Sequence, residues 1–446
     1  MESKLWFPTR HCFNSCYSFA RLRFIWAILV LCAAVTSLAL FALFNSGLPG
    51  QAEIICKPQL TVDPFDPRQA VNGPPTRSFR GQSRYHNLCN DTKYITSWGS
   101  GGWSNDVISI INLIYLGLVT DRIPILPIFL PSHLLLNTLG NAYSALNFRD
   151  VFDLPRLRKA TGIPVLEWWN VKASNSTDLG CWNVWESVQY HEKAPRQSFA
   201  PWKLGLDISY TKTPDWVKML FLVPRVPTTR AANLIEPRPS PKHNVSPPPD
   251  EDLLCYDFLY HVAAHQADEI ALDYSPAWRY VGAHMHWTPI LDRLGDTYIR
   301  QTLELRSTDP IPPVVHVRHN GFADWCEEGF STDCLAPMSA IERRVREVQE
   351  EIAEHKGITH VILTSDEKNS TWWQEVYDLG WFRPDHSRTK ELYRDWYPIL
   401  IDAVIQSKSA GFVGTARTTM SILWVESWQD GAARMVQWGK PGADDH

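Results

Sequence analysis

One stretch in the first third of the chain decides the fold: YITSWGSGGWSNDVISIINLIYLGLVTDRIPILPIFL, residues 94–130. It opens with β-prone residues over 94–98 and continues through a glycine-rich turn, GSGG. From Asp106 onward the apolar residues recur at the spacing of one broad helical face, and a second apolar run covers 123–129. The order strand, glycine loop, helix, strand predicts a βαβ unit.

The second half of the chain repeats this alternation. Strand patterns cover 314–317, 360–367 and 410–415. Helical patterns lie between and after them, over residues 341–352, 371–379, 397–406 and 418–428. Such alternation predicts parallel sheets that bind ligands at the carboxyl ends of their strands. We therefore expect a two-domain α/β enzyme, with one Rossmann-like domain over 85–304, a second over 305–446, and a cleft between them.

The N-terminus predicts a membrane anchor. Residues 24–44 are 21 residues without a charge, long enough to cross the roughly 30 Å core of a bilayer. Four basic residues precede this run, so residues 1–23 are expected to be a cytosolic tail. The apolar run is too long for a signal-peptide core, which leaves cleavage as the less favoured alternative. Residues 45–84, rich in Pro, Gly and polar residues, are expected to form a stem in the lumen.

Cysteines and sequons agree with a lumenal chain. Six cysteines lie beyond the anchor and permit three disulfides in an oxidising compartment, with Cys326–Cys334 as one candidate pair. N-glycosylation sequons begin at Asn90, Asn175, Asn244 and Asn369. The formal net charge of -5 does not suggest a nucleic-acid partner. A second Pro-rich stretch, 236–252, is expected to be a surface insertion.

Polar residues stand where the predicted strands end. Arg318 offers a fork of donors for a phosphate. Asp366 ends another strand, and the glycine loop before Asn105 allows a close backbone approach to a sugar or diphosphate. The predicted helix near Thr418 offers free N–H groups and the positive end of its dipole, with hydroxyls from Thr418, Thr419 and Ser421. Together these residues indicate a site for a nucleotide diphosphate.

Each of these residues also has a structural interpretation. The hydroxyls are equally expected as helix caps and Asp366 as a capping or solvated acid, whereas a structural ion pair is the less favoured alternative for Arg318. For His316, on the strand before Arg318, a satisfied strand histidine is the somewhat less favoured alternative. An Asp-x-Asp pattern that holds a metal in many glycosyltransferases occurs only at 250–252, inside the Pro-rich insertion. We discount it, and expect Arg318 and the helix start to carry the charge of the leaving group instead.

Three short blocks resemble the GDP-fucose protein O-fucosyltransferase superfamily, most closely its fungal membrane-anchored members. They are GGWSND (101–106), HVRHNGF (316–322), and TSDE (364–367) with GFVGTARTTMS (411–421). The resemblance implies a GT-B-like fold and an inverting transfer of L-fucose from GDP-fucose, with no cofactor and no essential metal. It implies an acceptor hydroxyl on a protein or a glycan. The predicted anchor, the sequons and the cysteines lead us to expect a Golgi or ER membrane as the location.

The resemblance also implies roles for individual residues. Arg318 and Asn105 are the expected catalytic residues, with Arg318 on the β-phosphate and Asn105 facing the reacting sugar. The expected donor-binding residues are His316 and Asp366 at the guanine end, together with Gly101, Gly102, Arg318, Thr418, Thr419 and Ser421.

The chain departs from the family pattern at two places. Asp106 stands where Gln is usual, and Asn320-Gly321 stands where an acidic or Gly-Asp element often follows. No general base is assigned, and Asp106, Asp324 and Glu327 are weak candidates. Two alternatives stay open: a transferase that uses another nucleotide sugar, and a non-catalytic carbohydrate-binding or scaffold protein on the same fold.

Overall fold

A computed structural model describes twelve segments of the chain. They are residues 88–89, 92–130, 145–171, 177–189, 193–219, 236–263, 275–305, 314–319, 335–356, 360–416, 418–427 and 432–436. The predicted tail, anchor and stem lie outside these residues. So do Asn90, Asn175, Cys326, Cys334, Asp324, Glu327 and the dipeptide Asn320-Gly321.

The first sheet is parallel and contains the predicted βαβ unit. Its described strands run in the order β3-β2-β1-β6-β4-β5. The strands are β1 (Tyr94–Ser97), β2 (Ile123–Leu126), β3 (Leu166–Glu167), β4 (Thr177–Asn183), β5 (Leu206–Lys212) and β6 (Leu253–Tyr256). The helices of this half are α1 (Trp103–Thr120), α2 (Phe148–Val151), α3 (Leu154–Thr161), α4 (Trp168–Val171), α5 (Trp185–Val188) and α6 (Ala200–Lys203).

The second sheet is also parallel, with its described strands in the order β10-β9-β7-β8. They are β7 (Val314–Val317), β8 (Ile362–Ser365), β9 (Phe412–Thr415) and β10 (Ala433–Val436). The remaining helices, in chain order, are α7 (Pro276–Tyr280), which packs against α1 of the first half, and α8 (Pro289–Leu303), α9 (Met338–Lys356), α10 (Ser370–Asp378), α11 (Thr389–Tyr393), α12 (Tyr397–Lys408) and α13 (Thr419–Ser427). The prediction of an α/β protein built on two parallel sheets is confirmed.

Helix α1 is the central core helix of the first half. It begins at Trp103, three residues before the first residue of the predicted helical pattern, because the turn after the glycines is already helical. It ends where Asp121 adopts a left-handed conformation, with φ 53°. Among the described residues, α1 is also the one helix long and apolar enough to cross a membrane. Most of its side chains are buried and it packs against β1 and β2, which are neighbours in one sheet, so it is a core helix.

Helix α8 follows the first half in sequence but packs against the second. Tyr298 and Ile299 join a buried cluster with Val314 of β7 and Ile401 of α12. Gly295 permits this contact, because a Cβ atom there would lie 2.2 Å from Val404 Cγ1. The domain boundary at residue 304 stays a prediction.

A disulfide links two neighbouring strands of the first sheet. Cys181 of β4 bonds Cys255 of β6, across 74 residues of sequence. Both sulfur-bearing residues are buried, and Cys89 is disulfide-bonded as well. The number of cysteines predicted disulfides but left their pairing open. The candidate pair Cys326–Cys334 stays a prediction outside the described residues.

Candidate functional site

The starts of helices α1 and α13 meet, although they are more than 300 residues apart in sequence. Thr419 Oγ1 donates a hydrogen bond to Asn105 Oδ1 at 3.1 Å. The same hydroxyl lies 2.6 Å from Ser104 Oγ. Asn105 and Thr419 are both predicted site residues, and the structure brings them together. Ser104 was missed, although it stands inside the quoted block GGWSND.

This meeting point has the properties of an anion site. The first N–H groups of a helix lack partners within the helix and carry the positive end of its dipole. Gly102 precedes α1 and supplies no side-chain cap. The N-termini of α1 and α13 therefore add the positive ends of their dipoles at one place. Both helices also supply polar side chains there.

The glycine loop before α1 is held by Asp106. Asp106 Oδ1 accepts hydrogen bonds from the backbone N–H groups of Ser100 and Gly101, both at 2.9 Å. A Cβ atom on Gly99 would lie 2.6 Å from Asp106 Oδ2, so a larger residue there would displace this carboxyl group. Burial raises the pKa of Asp106 to about 7 against the lowering effect of these hydrogen bonds. The carboxyl group of Asp106 thus orders the loop, which makes it a poor choice for the general base.

Arg196 and Asp257, in loops that follow neighbouring elements of the first half, hold the same glycine loop. Neither residue is marked in the sequence. Arg196 Nη2 donates to the carbonyl oxygen of Ser100 at 3.0 Å, and its guanidinium lies 4.8 Å from the ring centre of Trp185. The backbone N–H of Arg196 donates to Asp257 Oδ2 at 3.0 Å. Burial raises the pKa of Asp257 to about 6. No motif marks Arg196 or Asp257 in the sequence, because their partners are far away along the chain.

Arg318 and Asp366 lie at the carboxyl ends of β7 and β8. Arg318 Nε lies 2.8 Å from Asp366 Oδ2, and the Arg318 side chain is 47% exposed. The backbone N–H of Arg318 donates to Thr415 Oγ1 at 3.3 Å, which ties it to the end of β9. The contact with Asp366 orients the half-exposed guanidinium of Arg318 at the carboxyl-end edge of the second sheet.

His316 is buried on the face of β7 that packs on helix α12. Its Nδ1 lies 3.2 Å from Thr364 Oγ1 and 3.2 Å from Gln406 Nε2. Burial lowers the pKa of His316 to about 4, so the ring is neutral at pH 7. Its Nε2 is buried, with no hydrogen-bond partner among the residues that the structure describes. An unpaired buried ring nitrogen beside Arg318 and Asp366 is consistent with a ligand-binding histidine.

The three predicted hydroxyls around α13 have different surroundings. Thr419 reaches Asn105 and Ser104, as described above. Ser421 is buried and its Oγ accepts the backbone N–H of Thr415 at 3.1 Å. Thr418 is buried just before the helix, and its carbonyl oxygen accepts from the N–H of Ile422 at 3.0 Å. Ser421 therefore holds the end of β9, and Thr419 is the hydroxyl placed between the two helix starts.

The Asp-x-Asp pattern lies at the other end of the first sheet. Asp252 precedes β6, and its carbonyl oxygen accepts the N–H of Tyr94 at the amino end of β1. Asp250 Oδ1 accepts the N–H of Asp252 at 2.8 Å, which is a local turn. A cavity lined by this segment, by Asp178 and by three prolines lies at the same amino-end edge. This position is away from the carboxyl ends where Asn105 and Arg318 lie.

No family model matches the chain, and no curated protein matches its sequence significantly. Among solved structures, POFUT1 in complex with GDP-fucose is similar with a TM-score of 0.49 and 11% identity, over 79% of this chain and 99% of that one. The fucosyltransferase NodZ from Bradyrhizobium is similar with a TM-score of 0.41 and 13% identity, over 79% of this chain and 97% of that one. Because these TM-scores are below 0.5, we draw no conclusion about this chain from them.

Proposed function

We propose that this protein is an inverting glycosyltransferase that transfers L-fucose from GDP-fucose to a hydroxyl group of a protein or glycan. The observation that carries this proposal is the contact of Thr419 with Asn105 and Ser104 at the meeting point of two helix starts. It supports a diphosphate site between the two halves. The motifs that resemble the fucosyltransferase superfamily, with Arg318, His316 and Asp366 at neighbouring strand ends, support the choice of donor.

The chemistry follows from the charge of the leaving group. An acceptor hydroxyl oxygen forms a bond to C1 of the fucose and releases its proton to water, while the bond from C1 to the diphosphate oxygen breaks. The electron pair and the negative charge leave with GDP. Arg318 and the two helix starts are positive groups fixed before the reaction, so they stabilise this charge without rearranging. Asn105 lies at the contact between the halves, where the sugar and diphosphate are expected to meet.

The polar groups at the carboxyl ends of the strands suit a diphosphate better than a metal ion. They are a guanidinium, hydroxyls, an amide and backbone N–H groups, whereas Mg²⁺ and Mn²⁺ take carboxylate oxygens. The neighbouring carboxylate of Asp366 is already paired with Arg318, at 2.8 Å from its Nε. We therefore propose that transfer needs no metal. Full activity after extensive treatment with a chelator is the expected result.

The protein is further proposed to be a single-pass type II membrane protein of the Golgi or ER with its catalytic domain in the lumen. The Cys181–Cys255 disulfide supports an oxidising compartment. Two of the four sequon asparagines are among the described residues, and both are exposed. Asn244 has φ 53°, and Asn369 accepts the N–H of Thr371 through Oδ1 at 2.9 Å. Loss of apparent mass on endoglycosidase treatment tests this, with Asn369→Gln as the control for that site.

Titration of the full chain with a panel of nucleotides tests the donor. We expect GDP and GDP-fucose to bind more tightly than UDP, with hydrolysis or transfer of fucose in an assay of released GDP. Binding of UDP in preference to GDP would reject GDP-fucose as the donor. Tight GDP binding with neither hydrolysis nor transfer to any acceptor would instead favour the non-catalytic alternative.

A further inference from the structure

Trp169 is a surface tryptophan whose ring is fixed in place. It follows β3 at the carboxyl-end edge of the first sheet and is 39% exposed. Its indole Nε1 donates a hydrogen bond to Glu167 Oε2 at 2.8 Å. The guanidinium carbon of Arg149 lies 3.9 Å from the centre of the Trp169 ring. The ring therefore keeps one orientation although a large part of it faces solvent.

Glu167 is the buried group that holds both of these neighbours. Its Oε1 accepts the backbone N–H of Arg149 at 3.1 Å, and its Oε2 lies 3.9 Å from Arg149 Nε. Burial raises the pKa of Glu167, and burying a carboxyl group costs free energy unless the group is paired. The fold thus commits a buried acid to the orientation of an exposed aromatic ring and a partly exposed cation.

Trp202 on α6 shows how an ordinary exposed tryptophan differs. It is 74% exposed, and its side chain has no hydrogen bond or ring contact with the other residues that the structure describes. Exposed apolar side chains that occur singly in this way are normal on protein surfaces. Trp169 differs because a buried polar group fixes its ring, which indicates that the position of this ring matters.

A series of aromatic contacts connects Trp169 to the glycine loop. The neighbouring Trp168 stacks on Trp98 with ring centres 5.5 Å apart, and Trp98 directly precedes Gly99. Trp168 Nε1 also donates to Thr96 Oγ1 at 3.0 Å. Strand β2 lies between β1 and β3, and adjacent strands are about 4.8 Å apart, which places Trp169 roughly 10 Å from the loop. A disaccharide can bridge this distance.

The chemistry of Trp169 and Arg149 matches the face of a sugar ring. A pyranose presents a flat face of C–H groups, which packs on an aromatic ring, and carries hydroxyl groups around its edge. The guanidinium beside the indole has N–H donors for those hydroxyl oxygens. One indole is much smaller than the roughly 800 Å² that each partner buries in a stable protein interface. These residues therefore suit one sugar ring better than the surface of a folded protein.

We propose that Trp169 binds a sugar ring of a glycan acceptor, in a subsite next to the sugar that receives fucose. The reacting sugar lies at the glycine loop near Asn105, and the next sugar of the same glycan stacks on Trp169. Arg149 binds hydroxyl groups at the edge of this second sugar, and Glu167 is the positioning residue that orients the indole. The glycan-binding site rests on the geometry of Trp169, Glu167 and Arg149, whereas its role as an acceptor site rests on the proposed function.

Binding is tested on the full chain in detergent by saturation-transfer NMR titration with chitotriose, cellotriose and mannotriose, with and without GDP. We expect at least one of these trisaccharides to bind the wild type. Trp169→Ala is expected to weaken that binding by roughly 10-fold, as for a lost aromatic contact at the centre of a small site. Trp169→Phe is expected to retain most of the affinity, because a stacking face remains. Affinity for GDP is expected to be the same in all three proteins.

Trp202→Ala is the matched control, because it removes an exposed indole that has no fixing contacts. Its affinity for the trisaccharide is expected to equal that of the wild type. Glu167→Gln keeps the size of the side chain but replaces the charged acceptor of the indole N–H, so it is expected to lose less affinity than Trp169→Ala. In a transfer assay with the trisaccharide that binds, both substitutions are expected to raise KM for it and leave kcat nearly unchanged, since the lost contact lies away from the reacting atoms.

Three outcomes separate this inference from the proposed function. Equal trisaccharide affinities of the wild type and Trp169→Ala would remove Trp169 from the site. A wild type that binds GDP but none of the three trisaccharides would overturn the glycan site and favour a protein acceptor. A wild type that binds a trisaccharide through Trp169 but does not bind GDP would overturn the proposed function, and with it the acceptor role, while the glycan site would stand.

Discussion

Two edges of the molecule carry a histidine close to carboxylates, and they differ in what those histidines contact. At the amino-end edge of the first sheet, His243 Nδ1 lies 2.6 Å from Asp178 Oδ1 and 3.5 Å from Asp207 Oδ2. Asp207 also accepts the backbone N–H groups of Lys242 and His243. These groups pair with one another, and together they fasten the Pro-rich insertion to β4 and β5.

At the carboxyl-end edge of the second sheet, the hydrogen bonds are incomplete. His316 Nε2 is buried and unpaired among the described residues, and the half-exposed guanidinium of Arg318 lies two residues further along. Polar residue types alone therefore do not mark a site. The His243 cluster satisfies itself and stabilises a loop, whereas His316 keeps a buried ring nitrogen without a partner beside the half-exposed Arg318.

The strongest test of this comparison is Arg318→Ala. We expect transfer to fall by at least about 100-fold, because a fixed positive group at the leaving phosphate is lost. The unfolding temperature is expected to stay within about 2 °C of the wild type, since exposed ion pairs contribute little to stability. Arg434→Ala is the matched control, because Arg434 also pairs with a carboxylate, Glu351 at 2.7 Å, and is partly exposed. Wild-type turnover of Arg318→Ala would remove Arg318 from the site.

A smaller effect is expected for Thr419→Val, which removes the hydroxyl between the two helix starts but keeps the shape of the side chain. We expect roughly a 10-fold loss of transfer and about 1 kcal/mol of lost stability, the usual value of a partly buried hydrogen bond. Thr297→Val removes an exposed hydroxyl bonded to the carbonyl oxygen of Arg293 and controls for the substitution. Equal transfer rates and equal stabilities of Thr419→Val and Thr297→Val would argue against a functional role for the contact between α1 and α13.

Asp106→Asn is expected to change the pH dependence of stability. A carboxyl group whose pKa is raised on folding binds its proton more tightly in the folded chain, so its contribution to stability is greatest in acid. For Asp106 that contribution is lost as the pH rises from about 4, the ordinary value for Asp, through its folded pKa of about 7. Asparagine still accepts from Ser100 and Gly101 without taking a charge.

The measurement is the unfolding temperature of both proteins at pH 5 and pH 8. Over this interval the wild type is expected to lose more stability than Asp106→Asn. Asp257, whose pKa burial raises to about 6, contributes in the same direction in both proteins. Parallel pH profiles would show that Asp106 is an ordinary carboxylate in the folded chain.

The sequence predicted the fold well because its signals are local. Buried strands such as Val314–Val317 are short apolar runs, and the glycines before α1 interrupt the pattern at a visible point. The small errors in boundaries have local causes as well. The second strand ends at Leu126, before the predicted 129, because Pro127 follows and has no N–H for a ladder.

The site was predicted only in part, because its partners are distant in sequence. The ends of the predicted strands indicated Arg318, Asp366 and Asn105, because the carboxyl ends of parallel strands lie at the same edge of a sheet. Gln406 was missed because it lies in the middle of an apolar helix, and nothing in that pattern shows that it touches a histidine 90 residues away. The contact of Thr419 with Asn105 likewise depends on how the two halves pack.

The smallest effect is expected at the amino-end edge, for His243→Ala. If the cluster with Asp178 and Asp207 only fastens the insertion, its loss leaves GDP affinity and transfer unchanged. The cost in stability is expected to be within about 1 kcal/mol, because the contact between His243 and Asp178 is partly exposed. Asp207 keeps its hydrogen bonds from the backbone, so the loop retains part of its anchoring. A large loss of transfer with normal stability would contradict this, and would place a ligand at the edge where the polar groups already satisfy one another.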